Sequence, residues 1–433
     1  MSIFDDIPNE IIREMALSLR LKDIKNFGLT NSRFNQTICK DDEFWHQKFI
    51  RDYGNSINSI NSIKYRKSWK EMYQRHGMIW IWSLSNIISL DIKYIKNIMD
   101  ITVPTRISDL KAKQVSSAKN HTVFIDFENN VWGYGKNNCG QLGIKSRGSY
   151  VAIPQQIEGF KSKQVSTGYS HTLFIDMNNN VRACGDNDCG ELGIGHENAH
   201  LHPALIRNIK AREISAGARY SVIIDMDNNV WVWGNNYHGQ LGLGHNKGRN
   251  SPTQIPNFKA IRVSAGISRT VFIDRENNVW TCGKNRYRFR GESEEYSILG
   301  LSDNKNRYIP MQIPNFKAKQ VSTGEFHTLF IDLEDNVWSC GSNRWGQLGL
   351  GDDNIKNVTR PQMIPNINLL GKAQQVLASG GSTFIIDFDN NVWTCGYNGY
   401  HQPLKSLTQI PNINLLGKAR QVSAGFNYTV ILE

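Results

Sequence analysis

Three histidines in matching settings are the first candidates for chemistry in this chain of 433 residues. His121, His171 and His327 each open a His-Thr-Val/Leu-Phe-Ile-Asp segment, and imidazoles converging from equivalent segments would suit a metal ion. The same position is filled elsewhere by Tyr220, Arg269, Ser382 and Tyr428, and that mixture makes a poor ligand ring. Cys184, Cys282, Cys340 and Cys395 each precede a glycine at one shared position, which Tyr134 and Trp233 fill in two further copies. A slot shared by cysteine and large aromatics is a buried packing position, where free Cys behaves as a small hydrophobe. Zinc cysteines come in close C-x₂₋₄-C pairs instead, and the total of seven cysteines argues against a disulfide framework.

Oxygen donors fare no better. Asp225 to Asn229 and Asp387 to Asn391 offer the carboxylates and amides of a calcium loop but lack its sixth-position glycine and late glutamate. They read as hairpin turns, where Asp and Asn close backbone hydrogen bonds and accept left-handed conformations. Gly133-x-Gly135 is followed by Gly140, the wrong spacing for a dinucleotide loop, and no GK[ST] phosphate loop occurs. The expectation is therefore no catalytic, cofactor-binding or metal-binding residues. One segment stands apart: Lys284, Arg286, Tyr287, Arg288, Phe289 and Arg290 alternate basic and aromatic side chains, with Glu292, Glu294 and Glu295 following. Such alternation suits an acidic peptide or a nucleic-acid backbone, and the same charges also compensate one another as a solvated insertion. These six residues form the candidate partner-binding loop.

The elements behind these residues repeat. Val115-Ser116, Val165-Ser166, Ile214-Ser215, Val263-Ser264, Val321-Ser322, Val376-Leu377 and Val422-Ser423 open seven copies, spaced 50, 49, 49, 58, 55 and 46 residues apart. An Asp follows eleven residues after each of the first six starts. A period near 50 points to a propeller or another repeat fold. Within a copy, His121 to Asp126 and Val131 to Gly135 read as a hairpin, Asn138 to Gly143 as a glycine-punctuated loop, and Pro154-x-x-Ile157 as a return strand at an edge. Four short strands per unit make a propeller blade.

The last copy stops at Glu433 without its Trp-bearing strand, and Ile79-Trp80-Ile81-Trp82-Ser83 supplies a match to Val230 to Gly234. The seventh blade is thus expected to be shared between residues 79–107 and 422–433, which leaves no open sheet edge.

The pattern VSxGxxHTxxIDxxNNVWxxGxNxxGQLG resembles the RCC1 repeat over roughly 350 residues. Gly140 to Gly143, Gly190 to Gly193, Gly239 to Gly242 and Gly346 to Gly349 carry the likeness. Two copies depart from it: the loop after Gly283 expands to Leu301, and the turn after Gly396 shortens. The resemblance implies a mainly β, seven-bladed RCC1-like β-propeller over residues 77–433.

Residues 1–76 have a helical rhythm instead. Ile7-Pro8 starts a helix with Ile11, Ile12, Met15 and Leu19 on its apolar side. A second helix is expected from Lys22 to Leu29, a third from Asn31 or Ser32 with Phe34 and Ile38 inward, and a loop from Asn55 to Ser62. Ile7-Pro8, Ile11, Ile12, Leu19, Leu21-x-Asp23-Ile24, Asn31-x-x-Phe34 and Phe44-Trp45 together resemble an F-box, so a small α-helical F-box-like domain precedes the propeller; a plain helical cap is the alternative. The F-box resemblance implies a substrate receptor of an SCF-type (cullin-RING) ubiquitin ligase. Ile7, Pro8, Ile11, Ile12 and Met15 would meet a Skp1-like adaptor, and the propeller would hold a protein substrate. The RCC1 resemblance implies the second reading, exchange on a small GTPase of the Ran type or chromatin binding, and a third is a propeller scaffold.

Asp5, Asp6, Glu10 and Glu14 in the first twenty residues do not fit a signal peptide, and no apolar run reaches the length of a membrane span. A soluble protein of the cytoplasm and/or nucleus is expected. The net charge of +11 raises nucleic-acid binding, but the basic residues read as scattered, following a Lys-, Asn- and Ile-rich composition.

Overall fold

The computed structural model describes residues 9–19, 24, 38, 41–53, 78–82, 105–144, 149–289, 295–352, 354–365, 372–397, 403–410, 419–425 and 428–433. Two compact units result, Met1–Met78 and Ile79–Glu433.

In the first unit, an α-helix spans Asn9–Ser18 and a second spans Asp42–Tyr53. Asp41 caps the second helix, its Oδ1 accepting the Glu43 and Phe44 amides at 3.0 and 3.2 Å, which satisfies donors that a helix start leaves open. An Arg13–Asp41 ion pair and the Lys48 Nζ bond to the Leu17 carbonyl at 2.9 Å tie the two helices together. The helix at Asp42–Tyr53 extends through the Phe44-Trp45 motif; both rings are buried and meet edge to face. The helices expected from Lys22 and from Asn31 or Ser32 lie almost wholly outside the described residues, as does the loop expected from Asn55 to Ser62.

Seven four-stranded antiparallel blades make the second unit. The fifth shows the plan: Gln320–Thr323, His327–Ile331, Val337–Ser342 and Asn357–Met363 pair in chain order. Blades four, five and six are separate sheets, whereas blades seven, one, two and three are joined into one of 13 strands. The joining has a local cause. Tyr150–Thr167 runs for 18 residues, pairing first with Asn130–Lys136 as an outer strand and then with His171–Asp176 as the inner strand of the next blade. Thr105–Ser117 and His200–Ala216 do the same.

The shared blade closes the ring. Met78–Trp82 pairs with Thr429–Leu432 in the register Ile79↔Leu432 to Trp82↔Thr429, and Thr105–Ser117 lies on its other side. Trp80 Nε1 donates to the Glu433 carboxylate at 3.0 Å. Ile79, Ile81 and Val430 pack with Val115, Phe124 and Tyr134 of blade one, while Ile431 and Val422 pack with Phe384 and Ile386 of blade six.

Each blade's second strand is buried on both sides, as in Val123, Phe124 and Ile125, none of which is exposed. Its two faces contact neighbouring blades, and a wholly buried Phe at such a place stabilises by roughly 2–3 kcal/mol. A polar belt accompanies this core. The hydroxyl of the repeated Val-Ser pair accepts a backbone amide of the next blade: Ser166 from Ala216 at 2.9 Å, Ser215 from Ala265 at 2.9 Å, Ser264 from Thr323 at 3.0 Å, Ser322 from Ala378 at 2.9 Å. Ser116 and Ser423 do likewise with Thr167 and Ser117. Leu377 breaks the belt between blades six and seven, where Ser379 Oγ instead donates to the Ala424 carbonyl at 2.9 Å.

Candidate recognition face

The repeated histidines hold blades to blades. His121 Nε2 lies 3.0 Å from Thr172 Oγ1, His171 Nε2 3.1 Å from Ser221 Oγ, and His327 Nε2 2.9 Å from Thr383 Oγ1, each partner belonging to the next blade. Burial pushes all three imidazoles down to about 3, helped at His121 by His171 and at His327 by Arg269, so they are neutral. The substitutes do the same work with other atoms. Tyr220 donates to the Arg269 carbonyl at 2.5 Å, and Tyr428 Oη meets Thr122 Oγ1 at 2.9 Å. Fully buried Arg269 donates to the carbonyls of Glu325 and His327 at 2.9 and 2.6 Å.

The hydroxyl that meets each histidine, and Thr270 that meets Tyr220, also binds back to the preceding blade's glycine-rich turn. Thr172 donates to the Gln141 carbonyl at 2.6 Å, Ser221 to Glu191 at 2.7 Å, Thr270 to Gln240 at 2.7 Å and Thr383 to Gln347 at 2.6 Å. The cysteine slot points at these same carbonyls. Cys184, Cys282 and Cys395 thiols lie 3.6, 3.5 and 3.7 Å from the Gln141, Gln240 and Gln347 oxygens, and Trp233 Nε1 donates to Glu191 at 2.8 Å. The slot therefore takes Cys or Trp as apolar residues that carry a donor, a finer constraint than packing alone. Burial raises the thiols of Cys282, Cys340 and Cys395 to about 12, so they are unreactive.

The aspartates lock hairpin turns. Asp225 Oδ1 accepts the amides of Asp227 and Asn229 at 2.9 and 2.8 Å, and Oδ2 accepts Asn229 Nδ2 and Trp231 Nε1, both at 2.9 Å. Burial pushes this carboxyl up, but the four bonds outweigh it and leave it below its ordinary value. Asn129, Asn179, Asn228, Asn277, Asp335 and Asn390 all have positive φ at one turn position, as left-handed turn chemistry requires. Among the described residues no group of three or more His, Cys, Asp and Glu comes together as a metal site.

The propeller's two ends differ. These turns and the blade-to-blade connections form one end, the turn face. At the other, the loop face, stand the glycine-rich loops and the connections within each inner hairpin, and the latter line a central cavity of about 170 Å³. Loops from all seven blades line it, with small residues at Ala118, Gly168, Gly217, Gly266, Gly324 and Gly425. A Cβ on Gly168 would stand 2.3 Å from His171 Cε1, so the bulk of the buried ring requires glycine there. Lys119, Tyr169, Ile267 and Glu325 mark the cavity's larger side chains. Burial raises the half-buried Glu325 carboxyl, against the pull of Lys119 and Arg269.

The candidate loop lies on the loop face, but the structure changes its role. Arg286–Tyr287 and Tyr296–Ser297 form a two-stranded ribbon. Arg286 and Arg288 both pair with Glu295, and Phe289 is only 8% exposed, packed with Tyr296 and Phe326. Two of the loop's arginines thus share one carboxylate, and one of its aromatics is core. Lys284 Nζ lies 4.7 Å over the Tyr287 ring. Arg290, Glu292 and Glu294 lie outside the described residues.

In the helical unit, Ile7 and Pro8 lie outside the described residues. Ile11 and Met15 fall on the helix Asn9–Ser18. Ile12 and Ala16 on that helix are fully buried, so Ile12 is core and not part of an exposed surface.

Sequence reasoning missed one pattern. Every copy has a lysine four residues before its opening Val or Ile: Lys111, Lys161, Lys210, Lys259, Lys317, Lys372 and Lys418. Seven of the 50 Lys and Arg residues are thus placed by the repeat, and the described ones among them fall on the connections at the turn face, next to the Asp-rich hairpins (Asn130 pairs with Lys161, Asn229 with Lys259). Lys418 lies outside the described residues. Counting charges by repeat position, and not by window along the chain, reveals the pattern.

Seven closed blades, belted by repeated hydroxyls and histidines, define a mainly β, RCC1-like propeller. The comparisons with known proteins agree. Residues 128–175, 227–273 and 334–386 match the Regulator of chromosome condensation (RCC1) repeat, and a second profile of that description matches 112–141, 163–191, 211–240 and 318–347; the chain carries RCC1 repeats. Human "Probable E3 ubiquitin-protein ligase HERC4" is 33% identical over 91 residues, which is 21% of this chain and 8% of that protein. The chain therefore spans only a small part of that relative's length. Among solved structures, human WBSCR16 has a TM-score of 0.68 at 19% identity, covering 82% of this chain and 98% of its own. Prp20p from Saccharomyces cerevisiae, studied for its binding to Gsp1p and histones, has a TM-score of 0.68 at 18% identity, covering 84% and 94%.

Proposed function

We propose that this chain is the target-holding receptor of an SCF-type (cullin-RING) ubiquitin ligase. In this reading the N-terminal helical unit is an F-box that docks a Skp1-like adaptor, and the propeller's loop face holds the protein target. The chain brings target and ligase together inside the cell and transfers no ubiquitin itself. The observation that carries the reading is the pairing, in one chain, of the Ile7-Pro8 to Phe44-Trp45 motif series with a propeller of RCC1 repeats whose repeated polar side chains bind neighbouring blades. The RCC1-repeat similarity to human HERC4, named as a probable ubiquitin ligase, supports a ubiquitin context. Helix-in-groove docking would use Ile7, Pro8, Ile11 and Met15.

The test is affinity purification of the wild type beside an Ile7→Asp/Pro8→Ala/Ile11→Asp variant. Loss of a Skp1-like adaptor from the variant alone supports the reading, and its absence from both overturns it. The likeness to Prp20p, whose binding to Gsp1p and histones was studied, favours a second reading, nucleotide exchange on a Ran-type GTPase. Accelerated release of a labelled guanine nucleotide from such a GTPase is its direct assay.

A further inference from the structure

We propose that the central cavity of the loop face takes an arginine side chain of a partner protein, whose guanidinium pairs with the Glu325 carboxylate. This deepens the target-holding reading above and rests on it only for calling that partner the ligase's target.

The argument starts from one repeat position. Two residues before each histidine or its substitute stand Lys119, Tyr169, Ala218, Ile267, Glu325 and Gly380 in blades one to six. All six line the cavity, and no two are alike. Phe426, at that position in the seventh copy, lies outside the described residues. The histidines themselves are consumed in holding blade to blade. A position that converges on the axis and differs from copy to copy supplies nothing the ring needs in common. Such positions on a rigid scaffold are where recognition is carried.

Among the described residues, Glu325 is the one acid in that lining. Its backbone is fixed, the amide donating to the Gly380 carbonyl at 3.2 Å and the carbonyl accepting Arg269 at 2.9 Å. Its half-buried carboxylate has no hydrogen bond and no ion pair among the described residues. A carboxylate withdrawn from water without a bonded partner is costly and rare. Arg269 pulls on it, but that guanidinium is spent on Thr328 Oγ1 and the carbonyls of Gly324, Glu325 and His327. Lys119 pulls on it too, with its amine 5.1 Å from the Tyr169 ring centroid. The negative charge reaches the surrounding phenols: after burial, it is the next cause that raises Tyr169 and Tyr287.

Charge and space then select the occupant. Glu325 repels an acidic side chain or a phosphate, and an apolar side chain would leave the carboxylate buried and unpaired. A guanidinium offers it two parallel N–H donors in a fixed plane. The rim beside Glu325 has room, since a Cβ on Gly380 would meet nothing within 4 Å. A cavity of about 170 Å³ suits one long side chain and excludes a helix, which is about 10 Å across.

The test uses the full chain and fluorescence anisotropy. The probes are fluorescein-labelled peptides of glycine, serine and leucine that differ only at the central residue, which is arginine, citrulline or glutamate. The arginine peptide is expected to bind best, and Glu325→Gln to weaken it about tenfold or more. Glu276→Gln, the same charge change on the turn face, is expected to leave binding unchanged. Without peptide, Glu325→Gln is expected to melt no earlier than the wild type at neutral pH, because the carboxylate has no bonded partner to lose. An early melt would make Glu325 part of the scaffold and overturn the proposal. So would no binding of the arginine peptide by the wild type, equal or tighter binding of the citrulline or glutamate peptide, or equal weakening by Glu276→Gln. Adaptor capture through the helical unit is read separately. Its loss with arginine binding intact removes the ligase reading alone, and the reverse removes the arginine site alone.

Discussion

The propeller's two faces are built from the same repeat and treat it in opposite ways. On the turn face, six of the copies keep Asp, a left-handed Asn or Asp, and an Asn, with Trp following in five and Arg182 in the other. Their side chains are consumed by the turns themselves, as at Asp225, Asn229 and Trp231. On the loop face, the corresponding loop position changes from Cys139 and Cys189 to His238, Tyr287 and Trp345. Uniform positions hold the ring, and divergent ones are free to differ in what they meet. A repeat protein separates scaffold from recognition by face, where a single-copy fold must separate them by depth.

The sharpest way to break this comparison is to attack a turn. Asp225→Ala removes the acceptor of four hydrogen bonds and leaves Trp231 Nε1 and Asn229 without their partner, so a loss of about 2–4 kcal/mol is expected in urea unfolding. A loss below about 0.5 kcal/mol would show that the turn holds itself without the carboxylate.

A second prediction concerns the one glycine-rich turn that carries an acid. Glu191 stands where Gln141, Gln240 and Gln347 stand in other copies and is almost wholly buried. Burial raises its carboxyl to about 7, with Asp186 contributing in the same direction. Since the folded value is above the unfolded one, the folded state holds the proton more tightly, and stability falls as pH rises from about 4.5 to 7. Glu191→Gln is therefore expected to stabilise by up to about 3 kcal/mol above pH 7 and by little near pH 4. Thermal melts across that range measure it.

The buried histidines act in the opposite sense. His121, His171 and His327 are held near 3, below their ordinary value of 6.5. The unfolded chain then binds more protons between these values, so their contribution is intact above pH 6.5 and is lost as pH falls towards 3. His171→Gln is expected to flatten the acid limb of the stability profile. Smaller still, Ser215→Ala removes one belt bond to Ala265 and is expected to cost about 1 kcal/mol.

Much of the ring was legible in the order of residues alone. The period, the Asp-x-x-Asn-Asn turns and the matching of Ile79–Ser83 to the missing strand after Val422 determine the blades and their closure, because a two-residue side-chain alternation and turn chemistry are local. What was not legible is non-local. Nothing near His171 in sequence says that Ser221 is its partner, 50 residues away, and the thiol slot reads as packing because its acceptor carbonyl belongs to another blade. The insertion after Gly283 misleads for the same reason: Phe326 and Trp345, which bury Phe289, come from the next copy.

The division of labour between faces is tested most directly by urea unfolding of two variants side by side, Asp225→Ala on the turn face and Tyr237→Ala, an exposed residue of a glycine-rich loop, on the loop face. The account predicts separation. The turn variant loses about 2–4 kcal/mol, and the loop-face variant keeps its stability within about 0.5 kcal/mol. Equal losses, or the two losses exchanged, would contradict it.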